Sequence, residues 1–127
     1  MNAYYGKIEE LTENNSNFRQ VLWTGQHCQL VLMSLKPQEE IGAEVHQAVD
    51  QFFRIEKGEA KFVIDGTEYI AKDGDAVIVP AGANHNVINV SATEELKLYT
   101  IYSPANHPDG TVHPAKADAQ AAETHEH

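Results

Sequence analysis

The chain reads as an all-β fold, an antiparallel sandwich or barrel, on three observations. Short apolar or alternating runs recur at close spacing from Phe18 onward. Turn residues punctuate them, and Asp65-Gly66 and Asp73-Gly74 can supply the positive φ that tight hairpins need. No segment repeats another, so one barrel is expected, not two.

Taken in order, the first residues carry little pattern, and KIEEL (7–11) suits a short helix or an edge strand. FRQVLW (18–23) and CQLVLMSL (28–35) are strands with TGQH between them, the second closed by Lys36-Pro37. After a polar turn come EVHQ (44–47) and QFFRIE (51–56), ended by Lys57-Gly58. KFVI (61–64) and TEYIA (67–71) flank Asp65-Gly66, AVIV (76–79) follows Asp73-Gly74, and LKLYTIY (96–102) is the last strand expected. Beyond Ser103 a turn-rich loop, SPANHPDGTVHP, leads to an alanine-rich run, AKADAQAAE (115–123), able to form a short helix. The end, THEH, is expected to fray, and its His125 and His127 to offer a surface site for stray metal. The organisation expected is an N-terminal segment (1–17), a β-barrel (18–103) and a C-terminal tail (104–127) that packs across the barrel or joins two copies.

A chain of 127 residues makes one domain with room for a core, and 42% hydrophobic content with scattered charge marks it as soluble and globular. A formal net charge of −10 argues against nucleic acid and anionic membrane surfaces as partners. Cys28 is the single cysteine, so no internal disulfide forms, and it reads as a small core residue. The start, MNAYYGKIEELT, lacks the basic and apolar regions of a signal peptide, and no stretch reaches transmembrane length. A cytoplasmic location is expected.

The most informative stretch is Gly74–Asn89, GDAVIVPAGANHNVIN. An apolar run stops at Pro80, Gly82 allows a turn, and His85 opens the next run. On a strand His85, Val87 and Asn89 share a face, which places the imidazole among inward-pointing residues. Asn89 then holds the barrel together by hydrogen bonds, and Gly58, Pro80 and Gly82 serve the backbone.

The spacing G-x5-P-x-G-x2-H-x3-N resembles the second sequence motif of the cupins at every fixed position. The first cupin motif, G-x5-H-x-H-x3,4-E-x6-G, is matched in part upstream as E-x-H-x4-Q-x6-G, over Glu44, His46, Gln51 and Gly58. Gln38 stands where the leading glycine belongs. The resemblance covers roughly Gln29 to Tyr102, and it implies a jelly-roll β-barrel (a double-stranded β-helix), commonly a homodimer. VLMSLKP, VDQFFRIEKGE and LKLYTIYSP look like a group of small bacterial cupins labelled mannose-6-phosphate isomerase-like.

By that resemblance the metal set is Glu44, His46, Gln51 and His85, holding one divalent first-row ion per chain: Fe, Mn, Ni, Zn or Co. Gln51 is an odd step from His46, so the strand must bend to aim both inward, and Asp50 is the rival ligand if the bend falls elsewhere. The alternative is a barrel that has lost its metal, with His46 and His85 as hydrogen-bonded interior residues and Glu44 as rim charge. Phe53 and Ile55 share parity with Gln51 and should flank the site. Tyr99 or Tyr102 can add a phenol, though not both from one face, and Met33 can line the floor. His107 and His113 are read as solvated loop residues or as groups at the barrel mouth. The function implied is a metal-dependent enzyme on a small polar metabolite such as a sugar or sugar acid, moving a proton as an isomerase does with Glu44 as base. The rival classes are an Fe-dependent oxygenase and a non-catalytic small-molecule-binding barrel.

Overall fold

In the computed structural model, which describes residues 2–126 and their side chains as far as residue 123, two antiparallel sheets face each other. His127 and the side chain of His125 lie outside that description. The elements are α1 (Ile8–Asn14), β1 (Arg19–Thr24), β2 (Gln29–Leu35), β3 (Glu44–Val45), β4 (Asp50–Lys57) and β5 (Glu59–Ile64). They continue with β6 (Thr67–Lys72), β7 (Ala76–Val79), β8 (Asn84–Asn89), β9 (Leu96–Ser103), β10 (Val112–His113) and α2 (Lys116–Glu126). One sheet runs β10-β1-β2-β9-β4-β7 and the other β3-β8-β5-β6, the jelly-roll arrangement.

Alternation decides which side chains meet between the sheets. Phe53 and Ile55 of β4, Val31 and Met33 of β2 and Leu98 of β9 face Ala60 and Phe62 of β5 and Val87 of β8. The rings of Phe53 and Phe62 meet edge to face across the gap, centroids 5.0 Å apart. Each large side chain sealed there contributes roughly 1.5–3 kcal/mol. β2 is buried on both faces, which is why VLMSL shows no alternation. Its outer face is covered by the residues after α1, where the buried Lys97 Nζ donates to the Asn15 carbonyl (2.6 Å) and to Ser34 Oγ (2.9 Å).

The turns follow the chemistry of their residues. Asp65 (φ 47°) and Gly66 (φ 84°) form the left-handed pair of a tight β5–β6 hairpin. At Gly58 (φ 99°) a β-carbon would lie 3.0 Å from the Glu95 carbonyl oxygen, so conformation and space both demand glycine. Gln38, in the motif's glycine position, keeps the left-handed backbone with φ 62°. Asn89, as expected, ties strands together: its Nδ2 donates to the carbonyls of Leu35, Lys36 and Glu94.

One open alternative is decided and two expectations are corrected. KIEEL contributes to a helix, not an edge strand, and α1 lies against β9 and β4. EVHQ yields only the two-residue β3, because the His46 carbonyl turns to accept from the Gly82 N–H (2.9 Å). β9 is not the last strand: β10 returns to pair with β1, Arg19 opposite His113. Cys28 is half-buried, its carbonyl closing the turn before β2 by accepting from Gly25. Among the described residues no helix is long and apolar enough to cross a membrane.

Candidate active site at the barrel mouth

Glu44 and His85 stand directly opposite each other across the β3–β8 ladder. His46, two residues beyond Glu44, returns to the same side, and its Nε2 lies 2.9 Å from Glu44 Oε2. The His46 and His85 ring centroids are 5.4 Å apart. His85 is buried, its Nδ1 lies 3.4 Å from the Ala83 carbonyl, and with Nδ1 as donor the lone pair is on Nε2. Burial holds its pKa below the usual imidazole value, so the ring is neutral. For Glu44, burial pushes the carboxyl upward, but the hydrogen bond from His46 and the charges of His46, Arg19 and His85 outweigh it. The net direction is down, and Glu44 is ionised at neutral pH.

The chain turns between His46 and Asp50, and β4 enters with Gln51 facing inward, 3% exposed. Gln51 Nε2 donates to Thr100 Oγ1 (2.9 Å), whereas its buried Oε1 has no hydrogen-bond partner among the described residues. Asp50 points outward: it is exposed, and its Oδ1 accepts from the Ala81 N–H (2.9 Å). Of the two residues weighed for this position, Gln51 is the one aimed at the interior.

Tyr102, opposite Gln51 on β9, presents its ring to His46 edge-on at 6.0 Å. Burial pushes its phenol up to about 12, so the hydroxyl keeps its proton. Tyr99 is corrected as a pocket residue: an odd step away on β9, it stacks against Phe52 (6.2 Å) on the other face of the sheet. Phe53 is corrected too, since it is 1% exposed and packs behind His85 (6.3 Å) as core instead of opening to ligand. Met33 is likewise sealed in the core.

Three further residues complete the mouth. The loop after β9 carries His107 over Tyr102, Nε2 3.3 Å from the hydroxyl, so His107 is no solvated loop residue. Burial first, and Arg19 second, lower its pKa to about 3. His113, on β10, has its Nδ1 3.4 Å from an Arg19 terminal nitrogen. Arg19 itself is 3% exposed and was not anticipated as a site residue. The available signal was parity: in FRQVLW it shares the inward face with Val21.

α2 closes over this end, Ala119 inserting into the core. Beneath it lies a cleft of ≈ 370 Å³ lined by Arg19, Glu44, His46, His107, His113 and Glu123, among others. A neighbouring cleft of ≈ 230 Å³ shares Arg19 and Glu44 as walls.

The donors at this end fit a divalent ion in chemical type. They comprise an ionised carboxylate, two imidazoles with one second nitrogen tied to a carbonyl, and an amide oxygen buried without a partner. Among the described residues, however, no three His, Cys, Asp or Glu side chains stand ready as a ligand cluster, and Glu44 and His46 satisfy one another.

Residues 31–102 match the family model of the Cupin domain. The protein YrkC of Bacillus subtilis (strain 168) is 50% identical over 122 residues, a match covering 91% of this chain and 65% of YrkC. This chain therefore spans just under two thirds of that relative's length. Protein L612 of Acanthamoeba polyphaga mimivirus is 47% identical over 114 residues, covering 87% of this chain and 71% of L612. The crystal structure of BH2720 from Bacillus halodurans superposes with a TM-score of 0.92 at 41% identity, covering 94% of this chain and 95% of that one.

Proposed function

The chain belongs to the Cupin domain family, and from that premise we propose that it is a metal-dependent enzyme acting on a small polar metabolite by proton transfer. The observation that carries the reading is the convergence of ionised Glu44, His46, neutral His85 and the unsatisfied Oε1 of Gln51 at one end of the barrel. Leaving such groups buried without a cation or a full set of partners is unfavourable.

Glu44, His46, Gln51 and His85 would hold the ion, which when bound would polarise a substrate oxygen. The chain's own residues do the rest. Glu44 is ionised, so its Oε2 takes the proton from substrate where Glu44 leaves the ion or binds it loosely; otherwise a bound water is the base. The Tyr102 hydroxyl keeps its proton and donates. α2 and the His107 loop cover the mouth and limit access of water. The proposal includes a soluble homodimer, as cupins commonly form; a monomer by light scattering at working concentration would remove that part.

The test is metal content by mass spectrometry on untagged protein and on its His46→Ala/His85→Ala variant. About one ion per chain, lost in the variant, is expected; iron together with oxygen uptake would mark an oxygenase instead. A second reading, a barrel that binds a small molecule without turnover, is favoured by the Glu44–His46 contact, which pairs both groups without a metal. No ion in either protein selects it.

A further inference from the structure

We propose that Arg19 anchors the carboxylate of the ligand, so that the cleft takes a small hydroxy acid or sugar acid. This rests on reading the cleft as the substrate site, but not on the metal.

Arg19 is a buried cation with no described carboxylate in contact; Glu44, whose charge it helps to hold, stands beyond ion-pair distance. Arg19 is 3% exposed, yet among the described residues no carboxylate lies within ion-pair distance. Its contacts are His113 Nδ1 (3.4 Å), the Tyr102 hydroxyl and the face of Phe18, 5.3 Å from the guanidinium carbon. None of these contributes a formal negative charge, and Nε has no hydrogen-bond partner among the described residues. A guanidinium offers five donors in a fixed plane, a fork that matches the two oxygens of a carboxylate. Burying that fork with its donors largely unspent is unfavourable unless a ligand completes it.

Placement agrees with this. Arg19 forms a wall of both clefts at the mouth. Glu44 lines both as well, and Glu123 borders them on α2, with Lys116 in the smaller one. The larger cleft is thus positive at Arg19 and negative at Glu44. A ligand that fits both ends carries one carboxylate for Arg19 and hydroxyls for Glu44 and His46. A phosphate dianion fits less well, because among the described residues Arg19 is the only Lys or Arg side chain lining the larger cleft.

The experiment titrates the full-length protein, with and without EDTA, against glycolate and D-glucuronate and against their uncharged amides, by calorimetry and thermal shift. At least one carboxylate should bind wild type, with its amide about tenfold weaker or worse. Arg19→Gln should lose about tenfold in affinity for the acid and nothing for the amide, and Arg19→Lys, which keeps the charge without the fork, should fall between. Equal binding of acid and amide, undiminished binding by Arg19→Gln, or no binding of either carboxylate would overturn the proposal. If Arg19→Gln does not fold, Arg19→Lys decides by the same criterion. Metal content measured on the same samples separates the two readings: protein purified without any ion would count against the metal-dependent reading, and Arg19-dependent binding by that protein would leave this one standing.

Discussion

The side-chain amide of Gln29 holds the peptide of His107 at both ends. Gln29 Nε2 donates to the His107 carbonyl (2.8 Å) and Oε1 accepts the His107 N–H (3.1 Å), 78 residues along the chain. The same amide also accepts from the Asn106 N–H and donates to Thr24 Oγ1. Gln29 is fully buried, so none of these bonds has water as an easy substitute. Gln29→Leu should therefore cost about 2–3 kcal/mol in urea denaturation. It should also speed amide exchange at Asn106 and His107 well beyond the change elsewhere; an even change would mean that the clamp does not set the loop.

His107 makes stability depend on acid. Its pKa is depressed to about 3 in the fold, so between about 6.5 and 3 the unfolded chain binds a proton that the folded chain refuses. Its neutral burial is therefore without cost above about pH 6.5, and stability falls as pH drops below that, by up to about 1.4 kcal/mol per pH unit. Glu44, lowered in the fold, pulls the same way further down. Denaturation at pH 7.5, 6 and 5 should show the decline, and His107→Phe should reduce it to the part that His85, also lowered in the fold, contributes. An unchanged slope in the variant would assign the decline to other groups.

Gln38 and Gly58 predict opposite outcomes at two left-handed positions. Gln38 is exposed with φ 62°, so Gln38→Gly should relieve strain and raise stability by about 0.5–1 kcal/mol. Gly58→Ala should lower it by about 2–3 kcal/mol, since a side chain there meets both an unfavourable φ and the Glu95 carbonyl. Thermal melts of the two variants, shifted in opposite directions, check the pair.

The two tyrosines of β9 should separate cleanly. Tyr102→Phe removes the hydroxyl facing His107 and Arg19 and should weaken carboxylate binding about three- to tenfold. Tyr99→Phe, on the far face of the sheet, should leave binding unchanged and stability within about 0.5 kcal/mol. Equal effects in the titration would show that the inward face of β9 does not contribute to the ligand site.

The local sequence determined the strand and turn pattern and one half of the site. Period-two alternation needs no knowledge of distant residues, so Glu44 with His46, and His85 with Val87 and Asn89, were legible as inward pairs. Turn glycines and Asp-Gly pairs were legible for the same reason, because φ is a property of one residue and its neighbours. The tertiary structure alone decided the other half. Arg19 meets His113 across 94 residues and Gln29 meets His107 across 78, pairings set by how β10 and the loop return to the barrel. The choice of Tyr102 over Tyr99 was also hidden, because LKLYTIYS puts apolar and polar residues on both faces of β9, and only in the packed sheet does burial alternate from Leu98 to Tyr102. Where a strand alternates in polarity its inward face is legible, but where it does not, only the packed sheets say which face looks into the barrel.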